Sequence, residues 1–171
     1  MAETIKDQAL RDARLVFYSE DIEAFNSELD GFLELSSARC VFLIDRDGHM
    51  VTRRGEPIES SMEAMSALIA GSFAATKELA RLLGEEEFTT MFHQSQRENI
   101  QISLVGHRSL LAIVFDARTN LGLVRFYAQE ATRRLEQKML DIAERPQEDR
   151  KSEDLPDDFS ASATAALDDI F

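Results

Sequence analysis

A chain of 171 residues, 44% hydrophobic and 30% charged, has the length for one domain with extensions and the apolar content for a packed core. Its net charge of -13 argues against a phosphate-backbone binder, which needs a basic patch, so no nucleic-acid partner is expected. The single cysteine, Cys40, excludes a disulfide framework within one chain, and no apolar run approaches the ~18 residues of a membrane span.

Met1 to Arg14 is a polar extension of mixed charge, open between a loose helix and disorder. It lacks the hydrophobic core of a secretory signal, so a cytoplasmic protein is expected. Leu15 to Tyr18 is a short apolar anchor. From Ser19, the residues Ile22, Phe25, Leu29, Phe32 and Leu33 recur at spacings of three and four, the pattern of an amphipathic helix of roughly four turns. Gly31 weakens that helix, and Ser36 and Ser37 end it. Ala38 to Arg54 predicts a hairpin. The near-continuous apolar run CVFLID implies a strand covered on both faces, with Cys40 a small buried hydrophobe. Asp47-Gly48 supplies the turn signal, HMVTRR returns, and Gly55 to Glu59 links onward.

Ser60 to Leu83 contains no proline and is rich in Ala, Leu and Met, so it predicts a long helix ended by Gly84. Glu59, Ser60 or Ser61 is positioned to cap it. Met62, Met65, Leu68, Ile69, Phe73, Leu79 and Leu82 form one broad apolar face, expected to cover the sheet. Ala64, Ala67, Ala70, Gly71, Ala74 and Ala75 form a second, small-residue side. A helix covering one sheet needs a single apolar stripe. Two readings of the second side stay open from the pattern: burial inside the domain, or close approach of another helix or another protein.

EEEFTTMFHQ predicts a further short helical segment, with Phe88, Met91 and Phe92 on its apolar side. Ile100, Ile102 and Leu104 alternate with Gln101 and Ser103, as in a half-buried strand. Gly106-His107 is a turn, SLLAIVF a central strand, DARTN a loop, and LGLVRFY the last strand. Gln129 to Arg145 returns to helix, with Ala131, Leu135, Met139 and Ile142 on one side and Pro146 ending it. From Glu144 to Phe171 there are nine acids and three bases, so residues 146–171 predict a flexible acidic tail. Its last residues regain apolar character, and Leu167, Ile170 and Phe171 suit a small docking face. The expected order is α-β-β-α-β-β-β-α: an α/β (α+β) domain over residues 15–145, with a five-stranded antiparallel sheet carrying helices on its faces.

No catalytic constellation emerges. His49, His93 and His107 are scattered without metal-ligand spacing, and His93 is expected to be structural. Gly-rich phosphate cradles and nucleophile elbows are absent from the sequence, and Asp45 and Asp47 suit hydrogen bonds in their turn. No metal, no cofactor and no enzymatic site are expected. Arg53, Arg54, Arg108 and Arg118 are open between surface solvation and a finger inserted into a partner's phosphate chemistry.

The ordered set FLIDRDGHMVTRRG, LIAGSFAATKELARLLGE and LLAIVFDARTNLGLVRF, running from about Leu15 to Arg145, resembles the Roadblock/LC7 family. That resemblance implies a homodimer made by joining sheets and pairing the long helices. It also implies binding to a small Ras-like GTPase, with GTP hydrolysis raised by repositioning the GTPase's own catalytic residues rather than by lending an arginine. It further implies a role in bacterial cell polarity and motility, a place at the cell pole, and a C-terminal helix that favours nucleotide exchange. Carried over by position, the contact surface is Ala67, Ala70, Gly71, Ala74 and Glu78, with Glu23 of the first helix beside it, and a tail contact at Leu167, Ile170 and Phe171. Lys77-Glu78 places charge where relatives carry small residues, and residues 1–14 are an added extension. The alternatives are a scaffold that binds without activating, and a small-ligand sensor, against which the sequence shows no convergent polar groups beside a cavity.

Overall fold

The computed structural model describes residues 16–145; Met1 to Arg14 and the tail with Leu167, Ile170 and Phe171 lie outside the described residues. Helix α1 (Ser19–Ser36) precedes the hairpin β1 (Cys40–Asp45) and β2 (Met50–Gly55). Helix α2 (Met62–Leu82) leads to β3 (Thr90–Gln94), β4 (Asn99–Val105) and β5 (Ser109–Phe115), and α3 (Leu121–Ala143) closes the domain. The five strands pair antiparallel in the order β2-β1-β5-β4-β3. The expected architecture and element order hold.

Alternation along the two central strands builds a core on each sheet face. Val41, Leu43, Leu111, Ile113 and Phe115 point to the face where α1 and α3 pack, against Phe25, Leu29, Val124 and Leu135. Cys40, Phe42, Ile44, Leu110, Ala112 and Val114 point to the opposite face, against Ile69, Ala70 and Phe73 of α2. The first face is covered by two helices in contact with each other, while α2 lies on the other, its buried side chains packed on β1, β5 and β4.

Local chemistry fixes the ends. The Ala64 N–H donates to Ser61 Oγ at 3.2 Å, capping α2, and Gly84 takes the left-handed φ of 81° just beyond its end. The Tyr18 N–H donates to Asp21 Oδ2 at 2.9 Å at the start of α1. Asp21 also accepts from Arg145 Nη2 at 2.6 Å, so one buried carboxylate ties the start of the domain to its end.

Two local expectations are corrected. The FTTMFHQ stretch holds strand β3, not a helix: Met91 packs toward the α2 face and Phe92 toward the α3 face, so neighbouring apolar residues serve opposite sides of one strand. LGLVRFY is the first two turns of α3, not a strand. The Leu123 N–H donates to Asn120 Oδ1 at 2.9 Å, and Val124 and Ala128 continue the buried row of Ala131, Leu135, Met139 and Ile142. A side-chain cap and a spacing of three and four outweigh the strand propensity of Val, Phe and Tyr. As a result Gln101 and Ser103, expected to face water, are buried beside α3.

Candidate functional surface

The long helix shows a sharper division than its sequence suggested. Ser66, Ile69, Ala70, Phe73 and Ala80 are its buried residues. Leu68 is 74% exposed and Leu82 is 70% exposed, and Leu79 also faces outward, so these three do not cover the sheet as expected. With about 3.6 residues per turn, they fall on the side away from Ile69 and Phe73. Ala64, Ala67, Gly71, Ala74 and Ala75 are exposed with them, whereas Ala70 of the expected contact set is buried. The outward side of α2 is therefore apolar, and Glu78 is engaged within the helix, accepting from Arg81 Nε at 2.9 Å. That bond holds the Glu78 carboxyl below its ordinary range.

This outward side has two rows. Ala64, Leu68, Ser72, Ala75 and Leu79 form one, at spacings of three and four. Its first members line an apolar groove of about 470 Å³ with Met65, Ile100 and Ile102, open beside α2 on the half of the sheet that ends in β3. His93, expected to be structural, is exposed and lines the same groove. Ala67, Gly71, Ala74 and Glu78 form the second row. Next to it sits the hairpin turn: a Cβ added to Gly48, whose φ is 94°, would stand 2.9 Å from Ala67 Cα, so the turn and α2 meet only because residue 48 is glycine.

The remaining expected site residues separate. Glu23 is exposed on α1, on the opposite sheet face from α2, so within one protomer it is not beside the long-helix surface. Lys77 also parts from Glu78: it lines a separate cleft of about 370 Å³ with Arg46, Glu86, Glu87 and His107.

Three of the four candidate finger arginines, Arg53, Arg54 and Arg118, are held by side-chain hydrogen bonds, while among the described residues only the backbone carbonyl of Arg108 is engaged. Arg54 donates to both oxygens of Asp30 at 2.7 and 2.9 Å. Arg118 donates to Glu56 Oε1 at 2.6 Å and to Asp116 Oδ1 at 3.0 Å, and these bonds push its pKa up and hold both carboxyls down. Arg53 reaches the Glu56 carbonyl at 3.4 Å. In the hairpin turn, Asp45 Oδ1 accepts from the His49 N–H at 2.8 Å, the backbone role expected of it. Burial raises the Cys40 thiol pKa to about 11, which leaves it protonated and unreactive at neutral pH. Among the described residues no helix is long and apolar enough to cross a membrane.

A family model for the Roadblock/LC7 domain matches residues 26–115. Among solved structures, the gliding protein MglB of Thermus thermophilus is 31% identical, with a TM-score of 0.71 over 76% of this chain and 98% of that one. An MglB described as having a tetrameric arrangement is 30% identical, with a TM-score of 0.72 over 77% of this chain and 98% of that one. Myxococcus xanthus MglB is 32% identical, with a TM-score of 0.66 over 69% of this chain and 96% of that one. No curated protein matches the chain.

Proposed function

The chain belongs to the Roadblock/LC7 family, and on that premise we propose that it is a homodimeric regulator of a small Ras-like GTPase of the MglA type. In this reading it has no catalytic site of its own and stimulates GTP hydrolysis by repositioning the GTPase's own catalytic residues. The likeness to MglB structures, one of them described as a gliding protein, supports a role in bacterial polarity and motility, in the cytoplasm at the cell pole.

The observation that carries the proposal is the two-rowed outward side of α2. An exposed apolar side on a helix already anchored through its other side is the mark of an interaction surface. The groove row, open toward edge strand β3, suits the α2 of a second copy, with the two sheets joining at β3. The second row, Ala67, Gly71, Ala74 and Glu78, then faces the GTPase; Glu23 joins that surface only if it comes from the partner protomer. Small side chains let another backbone approach closely. The engagement of Arg54 and Arg118 with acids supports activation without a finger from those two positions. The tail residues Leu167, Ile170 and Phe171 contact a separate face of the GTPase and favour nucleotide exchange. The dimer must prefer the hydrolysis-competent conformation of the GTPase, because equal affinity for both conformations shifts nothing.

Single-turnover GTP hydrolysis by the cognate GTPase, with and without this protein, tests the proposal. Acceleration is expected with the wild type. Ala74→Arg, which adds bulk and charge at an exposed position, should abolish it while the protein stays a folded dimer. Binding without acceleration would establish the scaffold reading instead, and unchanged acceleration with Ala74→Arg would remove the second row from the contact.

A further inference from the structure

The face of the sheet under α1 and α3 is apolar along β5, where it presents Leu111, Ile113 and Phe115. At the β3–β4 end it turns polar. Gln101 is only 2% exposed, and Ser103 beside it is also buried. Gln101 Nε2 donates to Ser103 Oγ at 3.4 Å, while its Oε1 is fully buried and has no partner among the described residues. A buried acceptor left unmet is costly. Turning the amide over exchanges an unmet acceptor for an unmet donor, so either orientation calls for a polar occupant.

There is room for one. Gln101 lines a pocket of about 400 Å³ between the sheet and α3, within the size range of small-molecule sites. Thr90, Ser103 and Thr132 bring hydroxyls to it, Gln129 a second amide, and Arg125 a cation. The Arg125 guanidinium lies 6.0 Å from the ring centre of Phe92, the β3 residue paired with Gln101. Arg125 has no carboxylate partner among the described residues, in a chain where acids outnumber lysines and arginines 32 to 19. These are the convergent polar groups beside a cavity that the sequence did not show, because the segment carrying Arg125 reads as a strand by propensity.

We infer that this pocket binds a small monocarboxylate that also carries a hydrogen-bond donor, a hydroxy acid or an amino acid. Arg125 takes the carboxylate in charge-assisted hydrogen bonds. The Gln101 amide, turned toward the pocket, hydrogen-bonds the ligand's hydroxyl or amino group. The hydroxyls of Thr90, Ser103 and Thr132 complete the polar wall. A single cation suits one negative charge better than a phosphate dianion, and the mainly polar lining selects a compact polar molecule over an apolar one. The inference does not rest on the GTPase reading, since it concerns the other face of the sheet and is tested on this protein alone.

The test is an amide and side-chain NMR titration of the full-length protein with glycolate, L-lactate, L-serine and L-glutamine, each to about 10 mM, a range that captures weak small-ligand binding. Saturable shifts at Gln101, Ser103 and Arg125 are expected with at least one probe. Arg125→Met keeps the aliphatic stem of an exposed residue and should weaken binding by about tenfold or more. Gln101→Leu removes the buried amide and should weaken it likewise, with an unchanged circular dichroism spectrum. Two results overturn the inference: no saturable shift with any probe, which leaves a pocket for water only, or binding to both variants as strong as to the wild type.

Discussion

Replacing Leu68 by aspartate should leave the protomer folded and abolish self-association. Leu68 is 74% exposed, so a charge there costs the isolated protomer little. In the proposed dimer the same residue is buried in the groove row against a second copy. Burying a leucine contributes about 1.5–3 kcal/mol, and a two-fold interface counts the loss twice. The change should then weaken the dimer by roughly two to four powers of ten, before the added cost of desolvating two carboxylates. Sedimentation equilibrium reads the effect directly, and a retained helical circular dichroism signal shows that the fold survives. A variant that associates as strongly as the wild type would remove this row from the interface.

Phe73→Ala should act in the opposite way, striking the fold first. Phe73 is 3% exposed and packs in the cluster of Cys40, Phe42, Ile69, Ile102, Ala112 and Val114. Truncating a buried phenylalanine costs about 3–5 kcal/mol through lost burial and the cavity left behind. That is a large share of the roughly 5–15 kcal/mol that holds a domain together. Because α2 covers that core without a second helix of its own protomer over it, the loss should loosen α2 in particular. Urea unfolding of the dilute protein should show the full deficit for Phe73→Ala and a change of under about 1 kcal/mol for Leu79→Ala, an exposed position on the same helix. Equal losses for the two variants would contradict the division of α2 into a buried side and a contact side.

Much of the fold was legible because its strongest elements are strongly patterned. The Phe25, Leu29 and Phe32 spacing, the CVFLID run and the Asp47-Gly48 turn each have one physical reading, and the structure follows it. The two misread stretches fail for definite reasons. In β3, Met91 and Phe92 are adjacent because the strand is apolar on both faces, which imitates the clustering of a short helix. At the start of α3, the strand-prone LGLVRFY is overruled by the Asn120 cap and by a buried row that becomes visible only once Val124 and Ala128 join Ala131 and Leu135. The site was legible to a different depth. The small residues of α2 marked a surface, but the outward turn of Leu68, Leu79 and Leu82 depends on how α2 is rotated on the sheet, which periodicity leaves open when apolar residues fall on more than one side of the helix. The placement of Glu23 across the sheet from α2, and the pocket at Gln101 and Arg125, needed the third dimension.

The central claim, that α2 of one copy lies along the groove row of another, is tested most directly by single-cysteine cross-linking. Cysteines placed singly at Ala64, Leu68, Ser72, Ala75 and Leu79 sample the groove row, and cysteines at Ala67 and Ala74 sample the second row. The natural Cys40 stays in place, because burial pushes its thiol pKa to about 11 and leaves it inert to maleimide near neutral pH. A bismaleimide spanning about 8–10 Å, the distance between packed helix axes, should join two copies through one or more groove-row positions and leave the second row uncoupled. Cross-linked dimers from Ala67 and Ala74 with none from the groove row would contradict the account.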